Sequence, residues 1–178
     1  MFSMAKFFAL ALAATTVVTA ATTPQQVVDG FRLLIQKAKA LEPVAKSITI
    51  VNAPLIVILS GFTDQIKNGN TLIELLKDGP TGLTQADENL IFDAYKEFAS
   101  AEKSTQTILI GKADVVRNVQ IVGPPVAAVL RQLEGVIDSI SSTLTQKIVS
   151  QAQDFESEAN SLGSVLDLSI TKYDGLSQ

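Results

Sequence analysis

The chain has 178 residues and contains no cysteine, no histidine and no tryptophan. These absences exclude thiolate nucleophiles, cysteine and imidazole metal sites, and the serine–histidine–aspartate triad. The formal net charge of −4 argues against nucleic acid and anionic membranes as partners, because both are bound by clustered lysine and arginine.

Residues 1–20 have the pattern of a secretory signal peptide. One cation, Lys6, precedes the apolar run FFALALAATTVV, and small residues precede a cleavage position after Ala20. A retained signal anchor is the alternative, but a spanning helix needs about 20 apolar residues. We expect residues 21–178 to form a single secreted domain, which without disulfides is held together by its core alone.

The first helix is predicted to begin at TTPQQ. Thr23 is the expected N-cap, Pro24 takes the first helical position, and Gln26 completes a capping box. The apolar face repeats at three- and four-residue steps: Val27, Phe31, Leu34, Ile35, Ala38 and Leu41. Pro43 is expected to end this helix, and residues 44–53 fit either a strand or a helical face.

Pro54 is predicted to open a second helix, with a soft break at NGN (68–70). The glycines and proline of KDGPTGLT (77–84) indicate a loop. Thr84 with Asp87 then resembles a capping arrangement that opens a third helix.

The sequence GPP (123–125) is expected to end the third helix, and a fourth helix follows Pro125. A weaker fifth helix covers roughly Ile148 to Tyr173. Periodic segments separated by short breaks predict an all-α fold, an antiparallel bundle of about five helices.

Two segments repeat a pattern: IVNAPLIVIL (50–59) and IVGPPVAAVL (121–130). Each places a proline directly before an apolar helical run. Both are explained as helix starts after prolines; the alternative is a duplicated helical hairpin whose two apolar helices face one another.

The two runs Leu55–Leu59 and Val126–Leu130 are apolar on nearly every side of a helical wheel, whereas a surface helix needs only an apolar stripe. Such a helix is enclosed in the bundle, lines a cavity or exposes apolar surface, and we expect the first run to start a central helix. Small polar residues near the runs, Ser60, Thr63 and Gln132, are candidates to orient a lipid. The predicted apolar binding residues are Leu55, Ile58, Leu59, Phe62, Val126, Val129, Leu130 and Leu133.

Carboxylates are the main catalytic groups left to the chain, and a glycosidase needs two of them about 5–10 Å apart. Asp87 with Glu88 forms one acidic cluster; Asp154, Glu156 and Glu158 form another. Both are expected on solvated faces, the first at a helix N-terminus that favours negative charge. No EF-hand spacing or phosphate-binding glycine loop is present. We therefore predict no catalytic residue, no metal site and no cofactor.

The chain resembles the secreted fungal hydrophobic surface-binding proteins, which are related to cell-wall galactomannoproteins. The resemblance rests on the signal peptide, the helical pattern without cysteine or tryptophan, and three segments: PLIVILSGFTDQI (54–66), LIGKADVV (109–116) and ITKY (170–173). It implies an extracellular helical bundle without catalytic activity. Members of the family adsorb to hydrophobic solids, in some cases recruit a secreted cutinase-type esterase, and in others hold fatty acids in a tunnel between helices.

The chain departs from the mannoprotein pattern in two ways. It ends in LDLSITKYDGLSQ, without the hydrophobic tail of a glycosyl-phosphatidylinositol anchor signal, and it has no N-x-S/T acceptor. We therefore expect free secretion in preference to wall anchoring.

Three functional classes remain open. The leading hypothesis is a secreted binder of fatty acids or apolar surfaces; the others are an escort or inhibitor of a secreted enzyme, and a carboxylate hydrolase. A continuous apolar cavity of several hundred Å³ would favour a small-molecule site. A packed interior would favour surface adsorption.

Overall fold

A computed structural model of the protein describes residues 22–49, 54–117 and 122–177. Those residues contain five long α-helices and no strand, which confirms the all-α prediction. Short 3₁₀ turns follow α3, precede α5 and follow α5. The helices are α1 (Pro24–Lys46), α2 (Leu55–Asp78), α3 (Gln85–Ala113), α4 (Gly123–Lys147) and α5 (Ala152–Asp174). The predicted signal peptide lies outside the described residues.

Both predicted capping boxes are present. The Thr23 hydroxyl accepts the Gln26 backbone N–H at 3.2 Å, and the Gln26 side chain accepts the Thr23 N–H at 2.7 Å. Thr84 and Asp87 make the same reciprocal pair at the start of α3. Each pair satisfies two backbone donors that a helix start otherwise leaves free.

Three predicted helix boundaries are wrong. Pro43 lies inside α1, which continues to Lys46, because the proline is exposed and water can replace the backbone hydrogen bond it removes. Helix α2 runs unbroken through 68–70, where Gly69 is buried. The sequence GPP begins α4 and does not end α3, because prolines in a first helical turn lose no intrahelical bond.

The five helices form a closed ring in the order α1, α2, α4, α5, α3, and each packs extensively on its two neighbours in that ring. The expectation of a central helix beginning at Leu55 is therefore wrong. Every helix, α2 included, keeps an outer face, and the interior is filled by side chains from all five.

The chain reverses direction from each long helix to the next, as in the predicted antiparallel bundle, yet several spatial neighbours are parallel. Phe31 of α1 packs on Tyr95 of α3, and further along both helices Thr105 bonds Ala38, and Lys112 bonds Ile48 just beyond α1. Helices α2 and α4 also run side by side from the same end, so the two proline-started apolar runs do pack against each other. Whether they arose by duplication stays untested.

The two ends of the ring differ in composition. One end carries an aromatic cluster in which Phe31 packs edge-on against Tyr95, with centroids 5.8 Å apart, and Phe155 packs against both Tyr95 and Phe92. The other end, called here the Leu55 end, is formed by the first turns of α2 and α4 and the last turns of α1, α3 and α5. Its interior is aliphatic apart from Tyr173.

Candidate functional site

An enclosed apolar cavity lies at the Leu55 end. Its walls come from α2, α3, α4, α5 and the segments that follow α1 and α3. The volume is about 10 Å³, room for roughly one water molecule. Within the described residues, the site is therefore a narrow apolar seam between helices. The lining residues are Ile48, Leu55, Ile58, Leu109, Val116, Val122, Val126 and Tyr173.

Three of the predicted apolar binding residues meet at this cavity: Leu55, Ile58 and Val126. The others occupy the surrounding core, where Leu59 is half-buried and the rest are buried: Phe62, Val129, Leu130 and Leu133. Whether any of the eight contacts a ligand stays a prediction.

The predicted polar residues lie elsewhere. Ser60 and Thr63 are exposed, and their hydroxyls donate to carbonyls of their own helix, at 3.0 Å to Val57 and 2.8 Å to Leu59. Gln132 is exposed on α4. The structure brings none of these three side chains into the interior.

Tyr173 closes the inner wall of the cavity. Its hydroxyl donates to the Leu109 carbonyl at 3.0 Å, joining α5 to α3. Burial raises the pKa of this phenol far above its usual value, so it stays neutral and polar at the edge of an apolar space.

One to two turns deeper, four buried polar side chains form what we call the polar layer: Gln65, Glu102, Gln106 and Ser169. All four are fully buried. The Gln106 amide donates to one Glu102 carboxyl oxygen at 2.7 Å. Five side-chain atoms of the layer have no hydrogen-bond partner within the described part of the chain. They are the other Glu102 oxygen, the Gln106 carbonyl oxygen, the Ser169 hydroxyl and both polar atoms of the Gln65 amide.

Sequence reasoning missed this layer, although a signal was present. Gln65 falls at a stripe position of α2, three residues after Phe62 and seven before Leu72. Glu102 and Gln106 continue the stripe of α3 between Phe98 and Leu109. Polar residues at core positions of an otherwise apolar face are the pattern that could have revealed it.

Glu102 is the buried ionisable group of the layer. Removal from water raises the pKa of its carboxyl to about 7, and the hydrogen bond from Gln106 offsets only part of that rise. Below neutral pH the side chain is therefore a neutral acid that can donate as well as accept.

The predicted acidic clusters have structural partners. Asp87 caps α3, and Glu88 accepts a short hydrogen bond from Ser150. Glu158 pairs with Lys103 at 3.1 Å. The hydrogen bonds from Thr84 lower the pKa of Asp87, as expected for a carboxylate at a helix start.

A second group of acids lies between α4 and α5. Partial burial, and then the neighbouring charge of Asp167, raise the pKa of both Glu134 and Asp138. Asp138 and Glu156 also line an open polar groove of about 330 Å³ between the two helices. Within 22–49, 54–117 and 122–177, no three acidic side chains gather into a group that could hold a metal ion.

The outer surface of the Leu55 end carries apolar side chains. Ile56 is 83% exposed and Val57 is 50% exposed, on the outer side of the turn whose inner side lines the cavity with Leu55 and Ile58. Among the helices that the structure describes, none is long and apolar enough to cross a bilayer.

The fold is similar to that of a solved protein. The crystal structure of AfMp4p, an Aspergillus fumigatus mannoprotein, in complex with palmitic acid superposes with a TM-score of 0.70. The match covers 88% of this chain and 100% of that one, at 14% sequence identity. No family model and no curated protein matches the sequence. The likeness therefore establishes a shared helical-bundle fold.

Proposed function

We propose that the protein is a non-catalytic binder of long-chain fatty acids that holds the acyl chain between its helices at the Leu55 end. The observation that carries the proposal is the fold shared with a protein crystallised with palmitic acid, and the apolar seam between α2, α4 and their neighbours is the place where helices could part around an acyl chain. Its walls are aliphatic, and the Tyr173 hydroxyl is already engaged with Leu109.

Binding requires the helices to move apart. Small-molecule sites have volumes of about 300–1,000 Å³, whereas this cavity holds about 10 Å³. Because the ring has no central helix, separation of neighbouring helices opens the interior directly.

The test compares substitutions on opposite sides of one helical turn. Leu55→Asp places a carboxylate in the cavity wall, where an acyl chain would desolvate it, and is expected to weaken palmitic acid binding at least about tenfold. Ile56→Asp places the same charge on the outer face and should leave binding unchanged. Equilibrium dialysis of labelled palmitic acid against delipidated protein measures both. Failure of the wild-type protein to bind the acid would overturn the proposal.

A second function, adsorption to apolar surfaces, is favoured by the exposed Ile56 and Val57 and by the closed interior. Here the expected effects reverse. Ile56→Asp should reduce depletion of the protein from solution by alkylated beads, while Leu55→Asp has the smaller effect. Depletion of the wild-type protein no greater than that of an unrelated acidic protein would rule out adsorption.

The proposal also includes secretion through residues 1–20 and, as a further possibility, escort of a secreted esterase. The support for secretion is the sequence pattern alone. Mass spectrometry of culture fluid would detect a chain beginning at Ala21, and co-precipitation from the same fluid would detect an esterase in stoichiometric amount. A cell-retained chain that begins at Met1 would contradict secretion.

A further inference from the structure

The polar layer is the unexplained feature of the interior. Buried polar groups in folded proteins are nearly always hydrogen-bonded, and each one left without a partner costs about 1–3 kcal/mol. Here five side-chain atoms on four residues have no protein partner. Ordinary core residues at these positions would avoid that cost, so the layer needs an explanation beyond packing.

Contacts between helices place Gln65, Gln106 and Ser169 at about one level of the ring, and Glu102 lies one turn further from the cavity on α3. Thr105, beside Gln106, bonds the carbonyl of Ala38, and the next residue back on α1, Lys37, pairs with Asp64, beside Gln65. On the other side of the ring, the Tyr173–Leu109 hydrogen bond lies one helical turn closer to the Leu55 end than both Ser169 and Gln106.

The layer lies directly inward of the apolar cavity. Leu109 and Tyr173 line the cavity from α3 and α5, and one turn further along each helix come Gln106 and Ser169. On α2, ten residues separate Gln65 from Leu55, a helical length of about 15 Å. An acyl chain in extended form would bridge that length, with its head group at the layer and its tail toward the Leu55 end.

We propose that the polar layer is the head-group site of the bound lipid, specific for a carboxyl group. This inference rests on the proposed fatty-acid function and adds the residues that recognise the head group. The unpartnered atoms suit a carboxyl: the Gln65 amide and the Ser169 hydroxyl offer donors to its oxygens, and the Gln106 carbonyl accepts from its O–H. Glu102, held by Gln106, provides a further hydrogen-bonding oxygen.

The experiment measures the preference for palmitic acid over methyl palmitate, whose tail is the same but whose head group cannot donate. The wild-type protein is expected to bind the acid about tenfold more tightly. That ratio corresponds to the net binding free energy of one or two buried hydrogen bonds. Gln65→Met removes a donor and an acceptor at nearly constant volume and should abolish most of that preference by weakening acid binding alone. Ser169→Ala should reduce it less.

Gln36→Met is the matched control, because it makes the same chemical change on the exposed face of α1 and should leave the preference intact. Gln65→Met should also be no less stable than wild type in urea, since it removes unpartnered buried atoms. That measurement separates a binding defect from a folding defect.

The outcomes are distinct. Binding of neither ligand by the wild-type protein would overturn this inference together with the fatty-acid function. Equal affinity for acid and ester, or a preference that survives Gln65→Met, would overturn the head-group site and leave fatty-acid binding standing. In that case buried water, which commonly satisfies such atoms, would account for the layer.

Discussion

At the scale of single residues, Glu102 couples the stability of the fold to pH. Its carboxyl is fully buried, with one oxygen bonded to Gln106 and the other unpartnered. Its pKa is about 7 in the folded protein, compared with an ordinary value of 4.5. Between these two pKa values the folded state therefore holds a proton that the unfolded chain releases. The contribution of the protonated Glu102 to the free energy of unfolding is fully present below about pH 4.5 and is lost as the pH rises through 7.

This linkage predicts the behaviour of Glu102→Gln. The wild-type protein should lose on the order of 3 kcal/mol of unfolding free energy between pH 4.5 and 8 relative to the variant, which has no proton to release. Urea denaturation at a series of pH values measures the difference. Glu97→Gln, on the exposed face of the same helix, is the control and should follow the wild type. Parallel pH profiles for wild type and Glu102→Gln would contradict the prediction.

At the scale of elements, close approach between helices depends on glycine. Gly69 is buried where α2 meets α4, and a Cβ atom there would clash with Cγ1 of Val136, a β-branched side chain with little freedom to move. Gly135, on the exposed face of α4, has no neighbouring atom within 4 Å of an added Cβ.

The two glycines should therefore respond oppositely to alanine. Gly135→Ala is expected to stabilise the protein by about 0.5–1 kcal/mol through helix propensity. In Gly69→Ala, overpacking of about 1–3 kcal/mol outweighs the same gain, so a net loss of about 1 kcal/mol is expected. Thermal unfolding of both variants measures the difference. A stabilised Gly69→Ala would show that the α2–α4 seam is loosely packed.

The elements were largely predictable from the sequence, because spacing of apolar residues and capping boxes are local signals. The six apolar-face residues predicted for α1, the first Val27 and the last Leu41, all proved to be buried, and both threonine caps were found. The errors at Pro43 and 68–70 arose where context decides whether a helix continues. Prolines and glycines end helices only where the lost hydrogen bond or lost packing is not compensated.

The ring order and the polar layer were not predictable in the same way. Which helices become neighbours depends on complementary surfaces from distant segments, such as Gly69 against Val136. The layer was missed because a polar residue within a stripe is ordinarily assigned to the surface. Only the packed structure shows that Gln65 and Glu102 are enclosed.

At the scale of the whole molecule, the proposed fatty-acid function requires the ring to open, and the cysteine-free chain allows the opening seam to be located. An added Cβ at Gly69 lies 3.8 Å from Cβ of Val136, the usual separation across a disulfide. An added Cβ at Gly30 lies 3.7 Å from Cβ of Leu72, across the α1–α2 seam.

Two double-cysteine variants therefore tether different seams with the same chemistry. Oxidised Gly69→Cys/Val136→Cys is expected to slow palmitic acid uptake at least about tenfold, because α2 and α4 can no longer separate, and reduction should restore the rate. The Gly30→Cys/Leu72→Cys variant should take up the acid at the same rate whether its disulfide is oxidised or reduced. Stopped-flow uptake of a fluorescent fatty acid measures both. The reverse pattern would place the opening between α1 and α2.

The unpartnered atoms of the polar layer also affect the lifetime of the protein. The fold is more stable when Gln65 and Ser169 gain hydrogen-bond partners than when their polar atoms stay unpartnered. A cargo that satisfies them shifts the equilibrium away from open and unfolded forms, which are the forms that proteases cleave. If the protein binds fatty acids as proposed, molecules with bound fatty acid would therefore be degraded more slowly than molecules without it.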